Sequence, residues 1–307
     1  MKVVSVINYK GGVGKTTVTW NIAGELAFRN YKVLAIDLDP QTNLTFSFIR
    51  PEDWQKSFAD SKTIKQSFDA LLSNDDFDVN NLIYTPNRVK VKLNGSGKLD
   101  IISSHLGLIN VDLELATLLS GASLKQSKKN FIKVHRRLRD NIQDINNDDY
   151  DIILIDCPPN FNIVTKTAIV ASDFVLVPTR PDFLSTLGID YLIRNLSDLV
   201  RDYNDYAKEG DDHVEEINPA TIGVVFNMIQ ERSGQPIQAQ NTYIQQIRRQ
   251  SGLYVFERYI KRNDTLFAGA PETGIPVVLN QQSSGTYKSV VNSLEDVVDE
   301  FIDQVGI

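Results

Sequence analysis

The run Lys10-Gly11-Gly12-Val13-Gly14-Lys15-Thr16-Thr17 sets glycines, two cations and two hydroxyls between an apolar stretch at 3–7 and a helix-like segment. A strand that feeds a glycine turn and then a helix N-terminus aims backbone N–H groups and the positive end of the helix dipole at one point, and such a point binds phosphate. Gly14, Lys15 and Thr16 satisfy the end of the general phosphate-loop pattern, while Tyr9 stands where its first glycine belongs. In that pattern Lys15 reaches the β- and γ-phosphates and the Thr16 hydroxyl ligates Mg²⁺. Two further spots carry carboxylates. Asp156 follows the apolar run 152–155 and precedes Cys157-Pro158-Pro159; a strand-end Asp serves either a metal or the next turn. Asp37-Leu38-Asp39-Pro40-Gln41 places two carboxylates on one side of an extended segment, because side chains there alternate with period two. Asn227 ends the run 221–226, and its amide suits either an adenine edge or a turn.

The elements that must position these residues are short apolar runs at 3–7, 33–36, 99–102, 152–155, 174–177 and 221–226, separated by longer amphipathic stretches. Strands buried on both faces read as continuous apolar runs, so the alternation predicts an α/β fold: a doubly wound, mostly parallel sheet with helices on both faces. Ligands bind such sheets at the carboxyl ends of the strands, where the glycine loop, Asp37, Asp39 and Asp156 all fall. Residues 51–98 break the rhythm. They hold a polar helix candidate at 63–72, then 89–93, Asn94-Gly95-Ser96-Gly97 and 99–102, which read as a β-hairpin. With no linker or repeat in view, the expectation is a single domain over 1–307 with an elaboration at 51–98.

At 307 residues and 42% hydrophobic content the chain can bury a large core. One cysteine, Cys157, excludes an internal disulfide framework and any site built from several thiolates, and is expected to pack as a small buried side chain. His105, His135 and His213 are scattered singly, so no metal is expected beyond Mg²⁺. No stretch approaches the roughly 18 apolar residues of a membrane span. The sequence runs directly into its first strand, so a cytoplasmic protein without a signal peptide or an N-terminal helix-turn-helix domain is expected. A net charge of −7 requires any nucleic-acid binding to come from a local basic surface.

Lys10 and the paired glycines complete the pattern xKGGxGK[ST]T, and in all eight positions the segment resembles the deviant Walker A motif of the ParA/MinD family of dimerising ATPases. The stretch 152–159 looks like the family's Walker B segment, hhhhDxPP, and 37–41 like its switch I, DxDPQ. The segments 178–188 and 259–277 also resemble the family, and the likeness is weakest over 51–98. It implies a P-loop NTPase fold of the deviant Walker A type, with ATP and Mg²⁺ as cofactors and nucleotide contacts along 10–17 and at Asn227. Thr17 would stand beside the α-phosphate. Asp156 would hold Mg²⁺ through water, with Asp37 organising the metal's water shell, and Asp39 would orient or deprotonate the attacking water. Lys10 would cross to the nucleotide of a second subunit, so that the complete site exists only in an ATP-sandwich homodimer.

What such an ATPase acts on is set by its surfaces. One helix candidate carries Lys125, Lys128, Lys129, Lys133, Arg136, Arg137 and Arg139 around a core stripe of Phe131, Leu138 and Ile142. A second basic cluster holds Arg248, Arg249, Arg258, Lys261 and Arg262. The family places nonspecific DNA contacts in its C-terminal third, which implies Arg248, Arg249, Lys261 and Arg262. The tail at 293–303 has an apolar stripe of Leu294, Val297, Val298 and Phe301 but an acidic polar face, which anionic lipid would repel; a helix packed on the body is expected, and no membrane partner. The resemblance is greatest to ParA (Soj-like) partition ATPases, implying a plasmid or chromosome cargo, a ParB-like adaptor that stimulates hydrolysis, and association with the nucleoid when ATP is bound. A positioning ATPase for a microcompartment or chemoreceptor array, a MinD-like division regulator at the membrane and an ATP-dependent amidation enzyme are the alternatives.

Overall fold

Each of the six apolar runs forms a strand, and their hydrogen-bond ladders explain why they are continuous. The structure is a computed structural model that describes residues 1–209, 214–250, 252–280 and 285–307; His213 lies outside the described residues. The strands are β1 (Lys2–Val6), β2 (Lys32–Asp37), β3 (Lys98–Ile102), β4 (Ile152–Asp156), β5 (Phe174–Thr179) and β6 (Ala220–Ile229). A short hairpin, β7 (Glu231–Arg232) with β8 (Gln235–Pro236), comes next, and β9 (Val255–Lys261) forms the far edge. Among the described residues one sheet has the order β3-β2-β4-β1-β5-β6-β9, and every neighbouring pair is parallel. β4, with a strand on either side and helices above and below, is buried along its whole length.

The helices divide between two cores. On one face Phe68, Leu115, Leu138, Ile169, Leu196 and Ile247 pack from successive crossover helices against Leu34, Ile36, Ile153 and Val175 of the strands. On the other face Val18, Ile22 and Leu26 of the helix Lys15–Phe28 meet Val297 and Phe301 of the helix Gly285–Val305 over Val4, Val33 and Leu154. The acidic tail is therefore a helix packed on the body, with Leu294, Val297, Val298 and Phe301 all buried. No helix among the described residues is long and apolar enough to cross a membrane. The basic helix Leu124–Gln143 buries Leu138 and Ile142 as expected and only half-buries Phe131.

The hairpin expected at 89–102 is not formed. Residues Asn87–Leu93 are a helix that buries Val89 and Leu93, one turn apart, and leaves Val91 exposed. The alternation of Val89, Val91 and Leu93 with lysines thus mimics a strand without being one. Gly97 then turns the chain against the first crossover helix. A Cβ there would stand 2.2 Å from the Ala27 carbonyl oxygen and 2.4 Å from that of Tyr31, so only glycine fits. The following β3 pairs in parallel with β2. The helix candidate at 63–72 is present as Lys65–Ser73, and residues 51–98 wrap the β3 edge, contributing Phe68 to one core and Trp54 and Val89 to the other.

His135 illustrates the cost of burying an ionisable group. It is 1% exposed, stacks on Phe131 with ring centroids 4.0 Å apart, and shares a 2.8 Å hydrogen bond between Nδ1 and the Phe131 carbonyl. Burial lowers its pKa to about 4. The unfolded chain takes up this proton more readily, so stability is full above about pH 6.5 and is lost as pH falls toward 4, by up to about 3 kcal/mol. Urea midpoints at pH 7 and 4.5 are expected to differ less in His135→Phe than in the wild type; equal differences would remove this assignment.

Candidate functional site

Register builds the site. Val6, Asp156 and Asp37 are Cα partners across β1, β4 and β2, so the two carboxylates end adjacent strands side by side, next to the start of the glycine loop. The loop runs from Ile7 to Gly14, and the helix Lys15–Phe28 opens directly behind it, with Gly14 as its N-cap in the left-handed conformation (φ 88°). A Cβ on Gly14 would lie 2.1 Å from Asn227 Nδ2, so both backbone and space demand glycine. Asn8, which the sequence reading missed, ties the loop down: its Nδ2 donates to the Pro178 carbonyl at 2.8 Å and its Oδ1 accepts from the Lys10 N–H at 2.9 Å.

The Lys15 ammonium lies within the loop, donating to the Asn8 carbonyl at 3.2 Å and reaching the Lys10 carbonyl at 3.5 Å. Burial lowers its pKa, against the attraction of Asp156 and Asp39. The Thr16 hydroxyl donates to Asp156 Oδ2 at 2.6 Å. Burial raises the Asp156 pKa to about 7, opposed by that hydrogen bond and by Lys15. Thr19, also missed, donates to the Lys15 carbonyl at 3.0 Å and lies 3.4 Å from Asp156 Oδ1. A hydroxyl and a buried carboxylate beside a phosphate cradle are the hard-oxygen donors that suit Mg²⁺.

Asp37 and Asp39 have different local duties. Asp37 is fully buried, and its oxygens are spent on the backbone and one hydroxyl: Oδ1 accepts from the Asp39 N–H at 3.0 Å, Oδ2 from the Thr45 N–H at 2.8 Å and the Thr45 hydroxyl at 2.7 Å. Burial, with Asp156 alongside, raises its pKa. Asp37 therefore shapes the turn that presents Asp39. Asp39 itself accepts the Gln41 N–H at 2.9 Å, and its own carbonyl is held by the Thr42 N–H at 2.8 Å and the Ser104 hydroxyl at 2.7 Å. Thr45 and Ser104 left no sequence signal beyond being small hydroxyl residues near the expected loop.

Lys10 is exposed, and its ammonium has no partner among the described residues. Gly11 and Gly12 beside it are exposed as well, Val13 is buried, and Thr17 sits half-buried on the first helical turn. Asn227 is 2% exposed, with Nδ2 donating to the Val13 carbonyl at 3.1 Å and Oδ1 accepting the Met228 N–H at 2.7 Å. Both ends of its amide are engaged with protein, so here it braces the loop. Cys157 is fully buried and burial pushes its thiol up, leaving it inert.

The four basic residues expected to contact DNA lie on or beside β9 and the helix before it. Arg248 bonds the Phe256 carbonyl and Glu257 at the amino end of β9, both at 3.2 Å, while Lys261 and Arg262 stand at its carboxyl end, roughly 16 Å further on. Lys261 pairs with Glu231 at 3.0 Å and Arg262 with Asp264 at 2.6 Å. Arg249 is exposed on the last turn of the helix Gln238–Gln250.

A parallel, doubly wound sheet with a glycine loop, lysine and strand-end carboxylates at its carboxyl edge defines a P-loop nucleotide-binding protein. The family described as AAA domain (AAA_31) matches residues 1–208. The chain belongs to that family and, within it, to the ParA/MinD group of deviant Walker A ATPases. It is 28% identical over 279 residues to the sporulation initiation inhibitor protein Soj of Bacillus subtilis, covering 91% of this chain and 90% of Soj. It is 29% identical over 282 residues to the chromosome partitioning protein ParA of Caulobacter vibrioides, covering 91% and 87%. Among solved structures its fold is similar to the ATP complex of a single-site variant of McdA from Cyanothece, with a TM-score of 0.71 at 18% identity over 100% of this chain and 97% of that one. It is also similar to cobyrinic acid a,c-diamide synthase of Mycobacterium smegmatis with bound ADP and magnesium, with a TM-score of 0.63 at 20% identity over 89% and 91%.

Proposed function

We propose that this chain is a single-domain partition ATPase that binds Mg-ATP at the 10–17 loop, dimerises face to face over it, and hydrolyses it in that state. One observation carries the reading: Lys15 already fills the loop, yet Lys10 stands exposed beside it with its ammonium unpaired among the described residues, a cation with no task in its own subunit. Thr16 and Asp156 would hold Mg²⁺, Asp156 through water, and the ion would neutralise charge on the β- and γ-phosphates. Lys15 and the backbone N–H groups of 11–17 bind and orient the phosphates. Asp39, fixed by its backbone partners, aligns the water and takes its proton, and Asp37 acts through the turn it holds.

The surface beside the loop supports the dimer. Phe183, Leu184, Leu187 and Tyr191 are each 58% to 64% exposed at the start of the helix Phe183–Glu209, and the Tyr191 ring lies 5.4 Å from that of Tyr9, next to Lys10. An apolar patch continuous with the nucleotide edge is the kind of surface a second copy covers. Arg248, Arg249, Lys261 and Arg262 would contact DNA without sequence preference. Three of them pair with carboxylates, Arg248 with Glu257, Lys261 with Glu231 and Arg262 with Asp264, and DNA phosphate would compete for these cations at low salt. A ParB-like adaptor carried by plasmid or chromosome would stimulate hydrolysis and return the protein to the monomer, between nucleoid-bound and free cytoplasmic states.

Sedimentation velocity tests this directly. With Mg-ATP the wild type is expected to sediment as a dimer and Lys10→Ala as a monomer, and the wild type alone to retard DNA at about 50 mM salt and release it by about 300 mM. A wild type that stays monomeric with ATP bound would overturn the reading, and dimers that ignore DNA at low salt would remove its DNA branch.

A further inference from the structure

Met228 holds a left-handed backbone (φ 60°) immediately after Asn227, in the stretch where the pairing of β6 with β9 slips register. Methionine resists that conformation because its Cβ crowds the backbone, whereas glycine adopts it freely. Strain of this kind persists only where the surroundings hold it in place. Here the surroundings are named bonds. The Met228 N–H donates to Asn227 Oδ1 at 2.7 Å, and the Met228 carbonyl accepts from Gln240 Nε2 at 3.3 Å. Gln240 is fixed in turn, its Oε1 accepting the Gln230 N–H at 2.8 Å.

The consequence reaches the nucleotide loop. The left-handed residue follows directly on Asn227, whose Nδ2 donates to the Val13 carbonyl at 3.1 Å while blocking any Cβ at Gly14. Gln240 stands on the helix Gln238–Gln250, outside the phosphate cradle, yet one chain of hydrogen bonds joins it to the peptide before Gly14.

We propose that Gln240 is a positioning residue for the phosphate loop: it locks Met228 left-handed, so that Asn227 braces Val13 and presents the amides of 12–15 in their binding geometry. The assignment rests on the loop's being a nucleotide site, and the test separates the two. Gln240→Glu keeps the acceptor for Gln230 but loses the donor to Met228; Gln240→Ala loses both. Affinity for a fluorescent ATP analogue with Mg²⁺ is expected to fall about fivefold or more in either variant. Adding Met228→Gly is expected to restore it to within about twofold, because glycine needs no lock to be left-handed. A merely structural role for Gln240 predicts a lower melting temperature with affinity unchanged, or a loss that Met228→Gly fails to repair, and either result overturns the proposal. Failure of the wild type itself to bind the analogue would instead overturn the nucleotide reading.

Discussion

Alanine at Asp39 is expected to leave ATP bound and to stop its hydrolysis. On the proposed reading the carboxylate aligns and deprotonates a water, a role whose loss costs about 10² to 10⁴ in rate. What makes the variant informative is that the turn does not depend on that carboxylate alone. The Asp39 N–H stays on Asp37, and the Asp39 carbonyl keeps its bonds from Thr42 and Ser104. Only the Oδ1 bond to the Gln41 N–H disappears. Loop geometry and ATP affinity should therefore survive, with affinity changed by no more than about threefold. In single-turnover measurements bound ATP is expected to persist, and by sedimentation the ATP dimer is expected to outlive that of the wild type. Equal phosphate release from wild type and Asp39→Ala would remove Asp39 as the base.

Alanine at Lys15 is expected to have the opposite signature, with nucleotide binding itself lost. Its ammonium is already positioned by the Asn8 and Lys10 carbonyls, and Lys15 as a whole is 7% exposed, so a bound phosphate meets a cation that has little water to shed. A charge-assisted contact of this kind supports about a hundredfold in affinity. Folding should change less, because Asp156, with its pKa near 7, can take a proton when the cation leaves. Equilibrium binding of ATP with Mg²⁺, paired with thermal melts, checks both statements. Wild-type affinity in Lys15→Ala would mean that the loop is held in some other way than proposed.

The sequence exposed most of this because parallel strands buried on both faces carry their signal in every residue. β9 escaped notice for the converse reason. As an edge strand it turns Glu257 and Arg258 to solvent, so no apolar run marks it. The mistaken hairpin came from Val89, Val91 and Leu93, whose spacing suits a strand until one learns that only Val89 and Leu93 are buried. At the site, the charged residues were legible because chemistry restricts their type. Asn8, Thr45 and Ser104 were not, because each bonds a group brought from a distant part of the chain, and any small polar residue looks the same in one dimension.

The row formed by Val6, Asp156 and Asp37 has a bearing on how such a protein can vary. The spacing of its carboxylates is set by a ladder of backbone hydrogen bonds, which is indifferent to side chains but intolerant of a one-residue slip. Insertions between β2 and β3 have no such effect, since β3 is the outermost strand on that side and its neighbour keeps its register with β4. Residues 51–98 occupy that place, where added length would leave the pairing of β2 with β4, and so the row of carboxylates, unmoved.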